Sequence, residues 1–268
     1  MESVTDPGPW IRALRASHDR LTGIVAVLDA EGLRRQSYDT EWSIAQVLSH
    51  LGSGAEIFQL NLHAGLTGGE MLTSDDYRAI WDVWNERSPD DQAAESIDAN
   101  ESLVSRVESL TPEEVAAFRV AMFGMTMDLA GLLRLRLSEH AVHTWDVAVA
   151  LDPAARVAPS AVELLLPGLP QMMPWMGKKA AEPAVIAVTT TDPAGTYTLD
   201  TGGVTLAPGS SGPAGSAGSA GSSGSLDLTA EALLRLVYGR LGESTVASGE
   251  VRTSDVSLPE LRAVFPGF

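Results

Sequence analysis

The sequence predicts an α+β protein of two domains, a four-helix bundle over residues 1–152 and a small α+β domain over residues 153–268. Three observations predict it. Apolar residues recur close to every 3.6 positions in four long segments of the first half. That pattern breaks at Leu151-Asp152-Pro153, where proline disfavours a continuing helix. Runs rich in β-branched residues, separated by Pro and Gly turns, follow from residue 184 onward. At 268 residues the chain is also long for one compact unit.

The first helix is predicted over residues 10–28, where Trp10, Ile11, Leu14, Leu21, Ile24, Val25 and Leu28 repeat near the helical period. His18 lies there beside Asp19 and Arg20 and reads as a solvated surface histidine. Ser43, or Thr40 a little earlier, is the expected cap of a second helix beginning Ile44-Ala45-Gln46-Val47. His50 sits on the apolar side of that helix, with Val47, Gly54 and Ile57 as face neighbours. Gly52 and Gly54 each weaken a helix by up to about 1 kcal/mol against Ala, so close approach of a neighbouring helix is expected there. His63 falls in a polar end with no such setting.

A turn-rich connection with a helical patch around residues 77–84 leads to a third helix over residues 91–110. Thr111-Pro112-Glu113-Glu114 is a helix-start pattern, and a long fourth helix follows, running from about Met125 to Ala150. In the second half, residues 184–191, 196–200, 204–206 and 225–228 read as strands, and residues 230–241 and 258–264 as helices. Residues 207–225 are almost wholly Gly, Ser, Ala and Pro, which predicts a solvated excursion.

Eighteen basic against 35 acidic residues give a formal charge of −17. Such a chain is not expected to partner nucleic acid or an anionic membrane. It has neither a basic-then-apolar leader nor an apolar run near the ~18 residues of a spanning helix, so a cytoplasmic protein is expected. Cysteine is absent, which excludes disulfides, cysteine-ligated zinc and a protein thiol nucleophile.

The chemistry concentrates in the fourth helix. Glu139, His143 and Asp146 follow one another by four and then three positions, so their side chains share a stripe, with Arg136 at its edge. Leu132, Leu135, Val142 and Val149 lie on or beside that stripe, which therefore points partly inward. Burying polar groups without partners costs roughly 2–7 kcal/mol each, so a compensating partner is required. Glu139 and His143 can ligate one divalent cation, with His50 as the third ligand. Two histidines and a glutamate are a common catalytic zinc set with one position open, though iron, manganese, cobalt and nickel accept it too. Asp146 is placed to fix the imidazole of His143 from behind. His140 is rotated roughly 100° from Glu139. A rival pairing of His140 with His143 remains open at this stage, with Glu139 and His143 preferred on geometry.

Trp42-Ser43-Ile44-Ala45-Gln46-Val47-Leu48-Ser49-His50-Leu51 and the later Glu139-His140-Ala141-Val142-His143-Thr144-Trp145-Asp146-Val147-Ala148 together resemble the mycothiol-dependent maleylpyruvate isomerase family. The resemblance implies a DinB-like four-helix bundle followed by a sterol-carrier-type α+β domain. It implies His50, Glu139 and His143 as the metal triad, and mycothiol as the thiol cosubstrate. Through it Arg240 becomes an anion-binding candidate; an ordinary cation at a helix C-terminus is the alternative. Residues 207–225 look long for the family.

A thiol bound to a dication loses its proton readily. The thiolate can add to an activated alkene, which after bond rotation and expulsion gives cis–trans isomerisation. It can instead attack an electrophilic carbon and remain there as a thioether, which is S-transfer. The expected function is therefore a mycothiol-dependent metalloenzyme acting on a small electrophile. A non-catalytic metal- or ligand-binding protein and a hydrolase using metal-bound water are the alternatives. The electrophile, the native metal and the oligomeric state stay open.

Overall fold

The computed structural model describes residues 5–39, 41–122, 124–209, 223–242, 245–247 and 249–267. Thr40 and the greater part of the Gly/Ser-rich stretch, residues 210–222, lie outside them. The chain divides into two compact units, Met1–Ala161 and Val162–Phe268. The division falls a little after the break at Leu151-Asp152-Pro153. The turn that follows stays with the first unit, where Trp145 Nε1–H donates to the Ala155 carbonyl at 3.0 Å.

The first unit is built on four long helices, α1 (Gly8–Val25), α3 (Ile44–Thr67), α5 (Pro89–Glu108) and α7 (Leu129–Leu151), with short helices α2 (Ala30–Arg34), α4 (Ser74–Asn85) and α6 (Pro112–Ala117) between them. Helix α1 packs on α7 and α5, and α3 packs on α5 and α7. Ser43 opens α3 with a capping box: the Gln46 N–H donates to Ser43 Oγ at 3.3 Å, and the Ser43 N–H donates to Gln46 Oε1 at 2.9 Å. Gly68, at φ +67°, closes the helix in the left-handed conformation that favours glycine. Asp128 caps α7 through the Gly131 N–H at 2.9 Å.

Two expectations are corrected in this unit. The fourth helix starts at Leu129 rather than near Met125, because a two-stranded hairpin, β1 (Val120–Met122) and β2 (Met125–Met127), precedes it. Strands of three residues are too short to show a period of two. His18 is buried at 3% exposure, not solvated. Its polar neighbours in sequence point elsewhere, while α5 brings Glu101 Oε2 to 3.0 Å from His18 Nε2. At Gly52 and Gly54 side chains of the neighbouring helices α4 and α7 come close to α3. A Cβ at Gly52 would lie 2.1 Å from the Trp84 ring, and one at Gly54 would lie 2.7 Å from the Arg136 guanidinium.

Helix α7 is the central strut. Every residue from Arg136 to Val149 is buried except Glu139, which is the pattern of a helix surrounded by protein. The packing around its inner side includes Leu21, Leu33, Ile44, Val47, Leu48, Leu51 and Val147.

Helix α8 (Pro159–Leu165) spans the division, and the second unit continues with a 3₁₀ turn and α9 (Leu169–Met176) ahead of a five-stranded sheet. Its strands, β3 (Val185–Thr191), β4 (Gly195–Asp200), β5 (Thr205–Pro208), β6 (Gly224–Thr229) and β7 (Arg252–Ser254), take the order β5-β4-β3-β6-β7. Strands β3 and β6 pair in parallel and the other neighbours antiparallel. Strand β7 is short and wholly exposed, with no apolar alternation to betray it in the sequence. Helix α10 (Ala230–Val237) packs on β3 and β6, and α11 (Leu258–Val264) follows the last strand. The expected helix to Leu241 stops at Val237, since Gly239 at φ +71° turns the chain and the Arg240 N–H folds back to the Arg235 carbonyl.

Candidate metal centre

Helix α3 presents His50 about two turns after its cap, and α7 presents Glu139 and His143 one turn apart on a facing stripe. One ligand atom from each of the three lies within 4.8 Å of the others. His50 Nε2 is 3.2 Å from Glu139 Oε2, and His143 Nε2 is 3.7 Å from that same oxygen. The two imidazole centroids are 4.6 Å apart with their planes at 68°. His143 is turned by Asp146, whose fully buried carboxylate Oδ2 lies 2.9 Å from His143 Nδ1. With the proton on Nδ1, the Nε2 lone pair faces Glu139 and His50, which is the tautomer a metal ligand needs. The donor set is one that could hold a divalent cation, once the proton shared between His50 Nε2 and Glu139 leaves.

The protonation states suit that role. Burial pushes the His50 imidazole below the usual histidine range against the opposing pull of Glu139, so it is held neutral. Burial alone would raise the Glu139 carboxyl. The hydrogen bond from His50 and the field of His143, His50 and Arg136 outweigh it and hold the group at about 2. A neutral imidazole and an ionised carboxylate are the ligating forms.

The remaining candidates separate clearly. His140 faces the opposite way, with Nδ1 2.8 Å from Ser17 Oγ on α1 and 3.3 Å from Thr144 Oγ1, so the rival pairing with His143 is not assembled. His63 is exposed beside a shallow cavity lined by Gln59, Leu62, Leu66 and Arg106. Arg240 lies in the second unit, three residues past α10; it is 4% exposed and its guanidinium donates to the Tyr238 carbonyl at 2.9 Å. One contributor escaped the sequence reading. The Trp42 indole lies 5.2 Å from the His50 ring and 6.2 Å from that of His143. Its signal was its place just ahead of the Ser43 cap, which brings the residue back over the first turns of α3.

Two expected results follow from this geometry. Asp146→Asn replaces the acceptor-only carboxylate that fixes the His143 tautomer by an uncharged amide that can also donate, and metal affinity falls roughly 10–100-fold, measured by calorimetry. The second concerns pH. His18, His50 and His140 all have pKa values lowered by burial, so the folded state resists a proton that the unfolded chain accepts near pH 6.5. Their contribution to stability is complete above that pH and is lost as pH falls below it. Thermal melts of metal-free protein from pH 8 to 5 should show this decline, and His140→Gln should make it shallower. An unchanged slope in the variant would contradict the assignment.

A two-unit α+β protein whose four-helix bundle gathers two imidazoles and a carboxylate around one point is the class these observations define. The chain belongs to the mycothiol maleylpyruvate isomerase N-terminal domain family, whose description matches residues 14–148. Over 96% of its length, and 96% of theirs, the chain is similar to two crystal structures of the mycothiol-dependent maleylpyruvate isomerase. One is the enzyme itself, at 14% identity and TM-score 0.67; the other is a histidine-to-alanine mutant of it, at 13% identity and TM-score 0.67. Likeness at such identity shows the shared fold. No curated protein matches the chain. Among the described residues no helix is long and apolar enough to cross a membrane.

Proposed function

We propose that this protein is a cytoplasmic, mycothiol-dependent metalloenzyme that directs the sulfur of that thiol onto a small electrophilic substrate, by isomerisation or by S-transfer. The observation that carries the reading is the convergence of His50, Glu139 and His143, in a chain of this family, on one point. A divalent cation held there, zinc foremost, supplies the Lewis acidity that lowers the pKa of a coordinated thiol toward neutrality. The chain supplies everything else. Glu139 gives an ionised oxygen, Asp146 holds His143 in the ligating tautomer, and Trp42 walls the two imidazoles on one side. With no cysteine in the sequence, the sulfur comes from outside the chain. Arg240 enters the reading as an anion contact through the family resemblance. The five-stranded mixed sheet with α10 on it supports a sterol-carrier-type assignment for the second unit.

The test is turnover of a panel of activated cis-alkenes and alkylating electrophiles by metal-loaded protein, with and without mycothiol. Product that requires both metal and thiol is expected. Turnover that proceeds equally well without thiol would instead favour hydrolysis by bound water.

A further inference from the structure

Arg136 is buried at 1% exposure, yet among the described residues no carboxylate forms an ion pair with it. Its Nη2–H group donates to the Leu51 carbonyl at 2.8 Å and to Asn100 Oδ1 at 2.5 Å, and its Nε–H has no hydrogen-bond partner. Asn100 Nδ2–H also reaches the Leu51 carbonyl, at 3.4 Å, and the Ser96 carbonyl, at 2.8 Å. One side chain thus ties α7, α3 and α5 together, and its attachment point on α3 is the residue directly after His50.

Room for it is made on α3. A Cβ at Gly54 would come within 2.7 Å of Arg136 Nη1, while Phe58 offers its ring to the guanidinium at 5.5 Å. Burying a charge costs several kcal/mol after relaxation, and an apolar residue of similar volume would hold three helices together without that cost. Burial pushes the guanidinium pKa down to about 10, and the charge that opposes this is Glu139, three residues along the same helix face. The carboxylate nearest in sequence on that face is therefore Glu139 of the candidate metal centre.

We propose that Arg136 is a positioning residue of the metal centre: by gripping the Leu51 carbonyl over the Gly54 notch it fixes the rotation of His50 against Glu139 and His143. This rests on the reading of those three residues as ligands.

The experiment titrates Co²⁺ alone into the full chain, reading the dissociation constant by calorimetry and the ligand geometry by visible absorption. Wild type, Arg136→Met, Arg136→Lys and Gly54→Ala are compared with Leu62→Ala. Leu62 is buried in α3 twelve residues from His50, about 18 Å along the helix, and reports on core loss alone. Arg136→Met is expected to bind Co²⁺ roughly 10–100-fold more weakly with a shifted spectrum, and Arg136→Lys to recover most of the affinity. Leu62→Ala should melt earlier yet bind with wild-type affinity and spectrum. If Arg136→Met fails to fold, Gly54→Ala displaces the guanidinium without deleting it and carries the same expectation. Wild-type affinity and spectrum in the folded Arg136 or Gly54 variant would overturn the proposal. A wild type that binds no Co²⁺ would instead overturn the ligand reading, and this proposal with it.

Discussion

Glu139→Gln is expected to leave the bundle folded and to remove the metal. Gln is isosteric with Glu, so the stripe on α7 keeps its shape. The loss is electrostatic. Glu139 is the one anionic donor of the three, and its carboxylate is held ionised at about 2 by the hydrogen bond from His50 and the positive groups around it. An amide oxygen carries no charge to offset the desolvation of a dication. The affinity should therefore fall by more than the roughly 10–100-fold associated with outer partners such as Asp146, and thiol-dependent turnover should disappear with it. Stability of the metal-free protein should fall modestly, because the lost carboxylate charge had offset the burial of the Arg136 cation. Calorimetric titration of zinc into the variant, alongside a melt without metal, separates the two quantities. A variant that kept wild-type zinc affinity would remove Glu139 from the ligand set.

Gly52→Ala is expected to cause a marked loss of stability. An added Cβ would sit 2.1, 2.2 and 2.9 Å from three ring atoms of Trp84. That indole cannot step aside freely. It is 3% exposed, its Nε1–H donates to Glu56 Oε2 at 2.8 Å, and the Arg87 guanidinium stacks 3.7 Å above it. Alanine would favour the helix by up to about 1 kcal/mol. Forced displacement of a packed ring costs about 1–3 kcal/mol and often more. A net loss of about 2 kcal/mol lowers the melting temperature by roughly 4–8 °C in a unit of this size. Combined with Trp84→Leu, which takes away the clashing ring, the effect should be clearly less than additive. Full additivity would show that Gly52 is there for another reason.

The parts of the molecule legible in the sequence were those governed by local spacing. The i, i+4 relation of Glu139 and His143, the placement of Asp146 one turn on, and the Ser43 cap ahead of His50 all follow from helical geometry, and the structure shows each of them. What the sequence hid was tertiary. His18 sits among charged neighbours, and only the approach of α5 and α7 makes it a buried residue. The hairpin of β1 and β2, and the edge strand β7, have three residues each and no alternation to read. Close approach at Gly54 was legible from the sequence, but not its partner, because Arg136 is far away in the chain.

The most direct test of the central claim is metal content and mycothiol binding measured together on wild type and His143→Ala. His143 is the candidate ligand whose Nδ1 lies against the buried Asp146 carboxylate, at 2.9 Å. The account predicts about one divalent cation per wild-type chain, together with thiol binding that depends on it. It predicts that both are lost in a variant that still folds. A well-folded wild type that takes up no metal after reconstitution, or a His143→Ala protein that keeps both metal and thiol, would contradict it.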